Sequence, residues 1–181
     1  MRKIIANYGI ICLFVLASIA CSSAPESFKP IEPEISFGLA APGKISSFGE
    51  LTGNPFVEYR SAFFKNNNYF VVFRLETSGM IDGLVIGSIN LLGENKSIES
   101  ITMYREDLLR YWQGYLAGDA AYLEMRSTIE RYVPVSERIR TSRNTSQYYL
   151  VVLVNKVEGH IDGWKATITV NGGDIEFSGN M

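Results

Sequence analysis

"YFVVFRLETSGMIDGLVIGSINLLGE", Tyr69 to Glu94, sets over "YLVVLVNKVEGHIDGWKATITVNGGD", Tyr149 to Asp174, without gaps and at a constant offset of 80. Tyr69 falls on Tyr149, Val71 and Val72 on Val151 and Val152, Gly79 on Gly159, and Gly93 on Gly173. Ile81, Asp82 and Gly83 fall on Ile161, Asp162 and Gly163. The pair is either a duplicated unit or two uses of one hairpin grammar. Each copy reads as strand, connector, strand. Tyr69 to Glu76 is rich in β-branched and aromatic residues and is apolar on both faces at its start, as a strand covered on both sides must be. Trp164, Ala166, Ile168 and Val170 alternate with Lys165, Thr167, Thr169 and Asn171, the pattern of a half-buried strand. The shared Ile-Asp-Gly suits a tight connection, with Asp bonding to its own backbone and Gly taking a positive φ.

Outward from the copies, further strands are predicted at Ile35 to Ala41, Val57 to Phe64, Tyr132 to Arg140 and Asp174 to Phe177. "KNNN", Lys65 to Asn68, makes a turn between Phe64 and Tyr69. Between the copies the period changes from 2 to 3.6. Leu108, Leu109, Trp112, Tyr115 and Leu116 fall on one stripe that ends at Gly118. Asp119 can cap a second helix bearing Tyr122, Met125, Ile129 and Tyr132, closed by Pro134. The expected fold is α+β: an antiparallel, β-rich sheet or sandwich with a helical hairpin inserted at about 105–132, its aromatic stripe laid on the sheet.

The amino-terminal end has a different grammar. Arg2 and Lys3 precede the mostly apolar run Ile10 to Ala17, and small residues stand at Ser18 and Ala20 before Cys21. This is the order of a cleaved export signal, and the polar Asn7, Tyr8 and Gly9 make it a poor permanent span. From Ser22 to Glu34 the chain is small, polar and punctuated by Pro25, Pro30 and Pro33, a semi-extended leash.

Ser18, Ile19, Ala20 and Cys21 together resemble the lipobox of bacterial lipoproteins, in which Leu, a small residue and Gly or Ala precede the modified Cys. Ala20 and Cys21 fit; Ser18 stands where Leu is preferred. The resemblance covers only about the first 21 residues. It implies diacylglycerol on the Cys21 thiol, cleavage before Cys21 and a further acyl chain on the freed amine, an anchor stronger than one chain provides. Ser22 replaces the Asp that in some Gram-negative systems retains lipoproteins in the inner membrane, so the resemblance implies the outer membrane where the host has one. The expected organisation is a signal peptide at 1–20, a lipidated tether at 21–34 and one β-rich domain at 35–181. Cys12, the other cysteine, lies in the segment to be discarded, so the mature domain holds together through its core alone. About 145 residues suffice for that.

Composition excludes more than it assigns. Lys and Arg number 17 against 19 Asp and Glu, and 15 against 19 once Arg2 and Lys3 are removed. So acidic a chain is no general binder of nucleic acid, which needs a basic footprint. Arg131, Arg138, Arg140 and Arg143 form a local basic strip, either facing an anionic lipid or glycan or simply protecting a strand edge.

No serine sits in a GxSxG frame, and no P-loop or dinucleotide fingerprint occurs. The sole histidine, His160, replaces Met80 of the first copy and reads as a turn residue. Asp82 and Asp162 lack the ring of oxygen ligands that calcium wants, so no metal and no cofactor is expected. Glu106, Asp107 and Glu124 suit the solvent faces of helices better than a carboxylate pair for glycoside hydrolysis. Tyr111, Trp112, Tyr115 and Tyr122 line either the core or a ligand groove between helices and sheet. The expected role is that of a membrane-anchored, non-catalytic module binding an envelope protein or glycan. The alternative is a carrier of an apolar ligand in an aromatic-lined cavity.

Overall fold

The computed structural model describes residues 33–40, 62–65, 68–94, 96–116, 120–141, 144–154 and 160–181; the side chains of 62–65, 114–116, 120–122 and 124 are outside that description. The predicted signal, the predicted tether up to residue 32, the first part of the predicted strand at Val57 to Phe64, and Arg143 also lie outside it, and Glu34, expected in the tether, instead opens the first strand. Glu32–Met181 forms one compact unit.

Among the described residues, ten strands make two five-stranded antiparallel sheets. In the first sheet, β1 (Glu34–Leu39) and β2 (Ala62–Lys65) both pair with β3 (Asn68–Ser78), which pairs with β8 (Ser146–Val154), which pairs with β6 (Ile101–Met103). In the second, β10 (Gly173–Asn180) pairs with β9 (Gly163–Val170) and β9 with β4 (Leu84–Gly93), whose far side carries β5 (Lys96–Ile98) and β7 (Arg138–Ile139). Two helices, α1 (Arg105–Leu116) and α2 (Ala120–Tyr132), complete the described elements. The fold is thus the expected α+β sandwich with a helical hairpin.

Each of the two similar stretches gives one strand to each sheet. β3 pairs with β8 around Val71 opposite Val152 and Val72 opposite Val151, so positions equivalent in the alignment exchange across the pair. β4 pairs with β9 around a bulge between Ile86 and Ile89. This is the pairing that a local two-fold relation between the two stretches would give. The copies part company at the connector. Gly83 takes φ 72° in a bend, whereas Gly163 is the first residue of β9 and lies so close to the Gly179 carbonyl that a Cβ would stand 2.9 Å from it. Asp162 departs too: its Oδ2 accepts the N–H of Glu94 at 2.7 Å, binding the turn after β4 and not its own loop.

The residues of β3 and β8 divide by parity. Tyr69, Val71, Phe73 and Leu75 of β3, with Leu150, Val152 and Val154 of β8, point into the sandwich, where they meet Leu84, Ile86, Leu91, Trp164 and Ile168 of the second sheet. Phe73 lies edge-on to Trp164 at 5.2 Å, and Phe37 stacks on Phe73 at 5.3 Å. Phe70, Val72, Tyr149 and Val151 point the other way and are covered by Leu108 and Trp112 of α1 and by Met125 and Ile129 of α2. The described unit therefore has three layers: helices, first sheet, second sheet.

The predicted stop at Gly118 and cap at Asp119 lie outside the described residues; the start of α1 and the end of α2 lie within them. Asp107 Oδ2 lies 3.4 Å from the N–H of Tyr104, reaching back as the fourth residue of a capping box does. The N–H of Arg105 donates to the carbonyl of Pro134 at 3.0 Å and its Nε to that of Val133, also at 3.0 Å. The start of α1 is thereby fixed to the end of α2. This overturns the strand expected over Tyr132 to Arg140. Tyr132 closes α2, Val133 is buried in the helical core, and extended pairing is confined to Arg138 and Ile139.

Candidate functional site

The helical pair leaves part of the first sheet's outer face uncovered. The strands β1, β3 and β8 run on beyond it, and their outward residues change character there. After Phe70 and Val72 come Arg74, Glu76 and Ser78; opposite them stand Ser36 and Glu34 of β1, paired with Glu76 and Ser78, and Gln147 of β8, paired with Glu76, while Tyr149, paired with Arg74, is the last residue buried under the helices. The inward residues of the same stretch, Phe73 and Leu75, remain fully buried. The result is a polar patch on a rigid strand framework, with an open groove of about 280 Å³ over Glu34, Ser36, Glu76, Ser78 and Thr145.

Part of the patch is tied together by side-chain contacts. Arg74 Nε stands 3.6 Å from Glu76 Oε1. The Gln147 amide donates to the Tyr149 hydroxyl at 2.6 Å. The Tyr149 ring meets that of Tyr132 edge-on at 5.5 Å, and the Arg131 guanidinium lies 5.3 Å from the Tyr132 ring centre. Burial holds the Tyr149 hydroxyl above its ordinary pKa of 10; Arg74 pulls down, Tyr132 and Glu76 push up, and the bond from Gln147 pulls down. At neutral pH this group is a protonated hydroxyl and no general base. What the patch offers is hydrogen bonding: hydroxyls, one amide, one guanidinium and two carboxylates at positions set by the strand register.

The residues that the sequence singles out are brought together only in part. Trp112 is fully buried, stacked on Phe70 at 6.0 Å and edge-on to Tyr111 at 5.1 Å. It fills the space between α1 and the sheet where an aromatic cavity would have to be. Tyr111 is half-buried, and its hydroxyl accepts from Asn68 at 3.2 Å; the side chains of Tyr115 and Tyr122 are outside the description. Of the basic strip, Arg131 lies in the last turn of α2, while Arg138 and Arg140 flank buried Ile139 at the edge of the second sheet. His160 is exposed and sets its carbonyl against Gly93, where any Cβ would collide with it.

A second groove, of about 570 Å³, runs along the helical pair between Arg105, Arg110 and Gln113 of α1 and Arg126 and Glu130 of α2. Arg126 and Glu130 pair at 2.7 Å one turn apart. Among the described residues no group of three or more His, Cys, Asp or Glu could hold a metal ion, and no helix is long and apolar enough to cross a membrane.

The patch at Arg74 went unread in the sequence although its signal was present, in the alternation of Arg74 and Glu76 with Leu75 and Thr77. Compared with protein-family models, with curated proteins and with solved structures, the chain matches none.

Proposed function

We propose that this chain is a lipoprotein of the bacterial cell envelope, moored through acylated Cys21, whose folded unit is a non-catalytic module that binds an envelope glycan on the open half of the first sheet. The observation that carries the binding reading is the change of face at Arg74. There the same strands stop presenting apolar residues and present an ordered set of hydroxyl, amide, guanidinium and carboxylate groups instead. Such planar polar groups on a rigid frame suit a polyhydroxylated ligand, whose many weak hydrogen bonds reward preorganisation. The anchor is supported by Ser18 to Cys21 and the leash behind it. Full burial of Trp112 against Phe70 favours this reading over a carrier with an aromatic cavity.

Calorimetric titration of the full-length chain in detergent with oligosaccharides of N-acetylated amino sugars tests the binding face. Saturable binding that is lost in the double variant Glu76→Ala with Gln147→Ala is the expected result. Absence of binding, or binding unchanged in the variant, would sink the assignment.

A further inference from the structure

The two edges of the second sheet are complementary to each other. Across its outer face one lateral row runs through Arg138 on β7, Val85 on β4, Thr169 on β9 and Asp174 on β10, each opposite the next. The row has a guanidinium at one edge and a carboxylate at the other. The Asp174 carboxylate is oriented by the Thr169 hydroxyl, which donates to its Oδ1 at 2.6 Å. Flanking residues repeat the asymmetry: Arg140 shares the exposed side of Arg138, with buried Ile139 between them, and Glu176 shares that of Asp174.

Strand direction is compatible as well. β7 is antiparallel to β4, β4 to β9 and β9 to β10, so β7 and β10 run in opposite directions. Moving one copy sideways along the row therefore sets its β7 edge antiparallel against the β10 edge of the next. That single translation puts Asp174 opposite Arg138, with Glu176 diagonal to Arg138 and Arg140 diagonal to Asp174, at the separations where cross-strand charge pairs interact.

Apart from its two carboxylates the β10 edge carries little to block pairing. It is eight residues long, pairs with β9 in unbroken register, contains no proline and leaves Ile175 40% exposed. Its length matches the opposite edge, where β7 and β5 lie along Leu84–Gly93 of β4. β7 itself supplies little ladder, having only two residues and the N–H of Arg138 lying 3.4 Å from the Ser136 hydroxyl. Charge must carry most of the contact.

We infer that the β10 edge docks a second copy of this chain at its β7 edge, through Asp174 and Glu176 against Arg138 and Arg140. The contact is heterologous, so it propagates as an open row of copies. For anchored molecules confined to one membrane surface, that is lateral assembly. This deepens the binding-module reading by naming a partner on the edges of the other sheet, a surface distinct from the glycan face. Monomeric behaviour would overturn it and leave the glycan titration untouched.

The test is sedimentation of the full-length chain in density-matched detergent, over a range of protein concentrations and at low and high salt. Wild type should form concentration-dependent species heavier than one chain per micelle, dissociated by salt as screening predicts. Reversal of one edge, Asp174→Arg with Glu176→Arg, should weaken association by roughly tenfold or more, and so should Arg138→Glu with Arg140→Glu. Mixing the two reversed variants should restore it, because each then offers the charge the other lacks. Wild type with one chain per micelle throughout, association unaffected by the reversals, or failure of the mixture to recover would each overturn the inference. The milder pair Asp174→Asn and Arg138→Gln repeats the test should a reversed variant misfold.

Discussion

Two halves of one sheet face, built by the same two strands, differ in what they touch and therefore in what they are made of. Under the helices, β3 and β8 present Phe70, Val72, Tyr149 and Val151, all buried; past the helices they present Arg74, Glu76 and Gln147. The inner face does not change at that boundary, because Phe73 and Leu75 still meet the second sheet. A strand sandwiched between two layers needs both faces apolar, whereas one with a free face must alternate. The point where Tyr69-to-Phe73 continuity gives way to alternation at Arg74 thus marks, in the sequence, where the helical layer ends.

The comparison can be broken hardest at its covered half. Trp112→Ala would open a void between α1 and the sheet, and the cost should be about 3–5 kcal/mol in denaturant unfolding; a loss under about 1 kcal/mol would mean that the helices do not pack on the sheet as described. One substitution at two positions sharpens the contrast. Val72→Thr buries a hydroxyl and should cost about 1–3 kcal/mol, while Glu76→Thr on the open half should stay within about 0.5 kcal/mol. Equal effects at the two sites would erase the distinction.

A smaller effect is expected where the halves meet, at Tyr149. Its hydroxyl ionises less readily folded than unfolded, so above the ordinary value of 10 the unfolded chain loses its proton first and stability falls as pH rises. Tyr104, raised by burial and by Glu137, adds to the same decline. Tyr149→Phe should flatten thermal stability against pH in that alkaline range; an unchanged slope would remove Tyr149 from the account.

Much of this was legible in residues alone. The repeat located β3, β4, β8 and β9, since each is long enough to declare its period. The 3.6 spacing of Leu108, Trp112, Met125 and Ile129 located the helical pair. Strands β5 and β6 were not legible, because three residues carry no periodicity and they exist only through pairing with β4 and β8. The stretch from Tyr132 to Arg140 misled for a related reason. Its β-branched residues suggest a strand, yet tertiary contacts recruit Tyr132 and Val133 into the helical core and leave two residues to pair.

The candidate site was the least legible part. Aromatic residues drew the reading toward a groove, and packing consumed Trp112 as core. Asp162 could be seen as a turn residue, but no local pattern says that it serves the turn at Glu94, 68 residues away in sequence. The open patch needs the register of three strands before Ser36, Glu76 and Gln147 become neighbours.

The functional account rests on the mooring of this body, and the mass of the native amino terminus tests that most directly. Mass spectrometry of the protein from its own membranes should find a chain that starts at Cys21 and carries diacylglycerol on the sulfur. A Cys21 with an unmodified thiol, or a chain free in the medium, would contradict it.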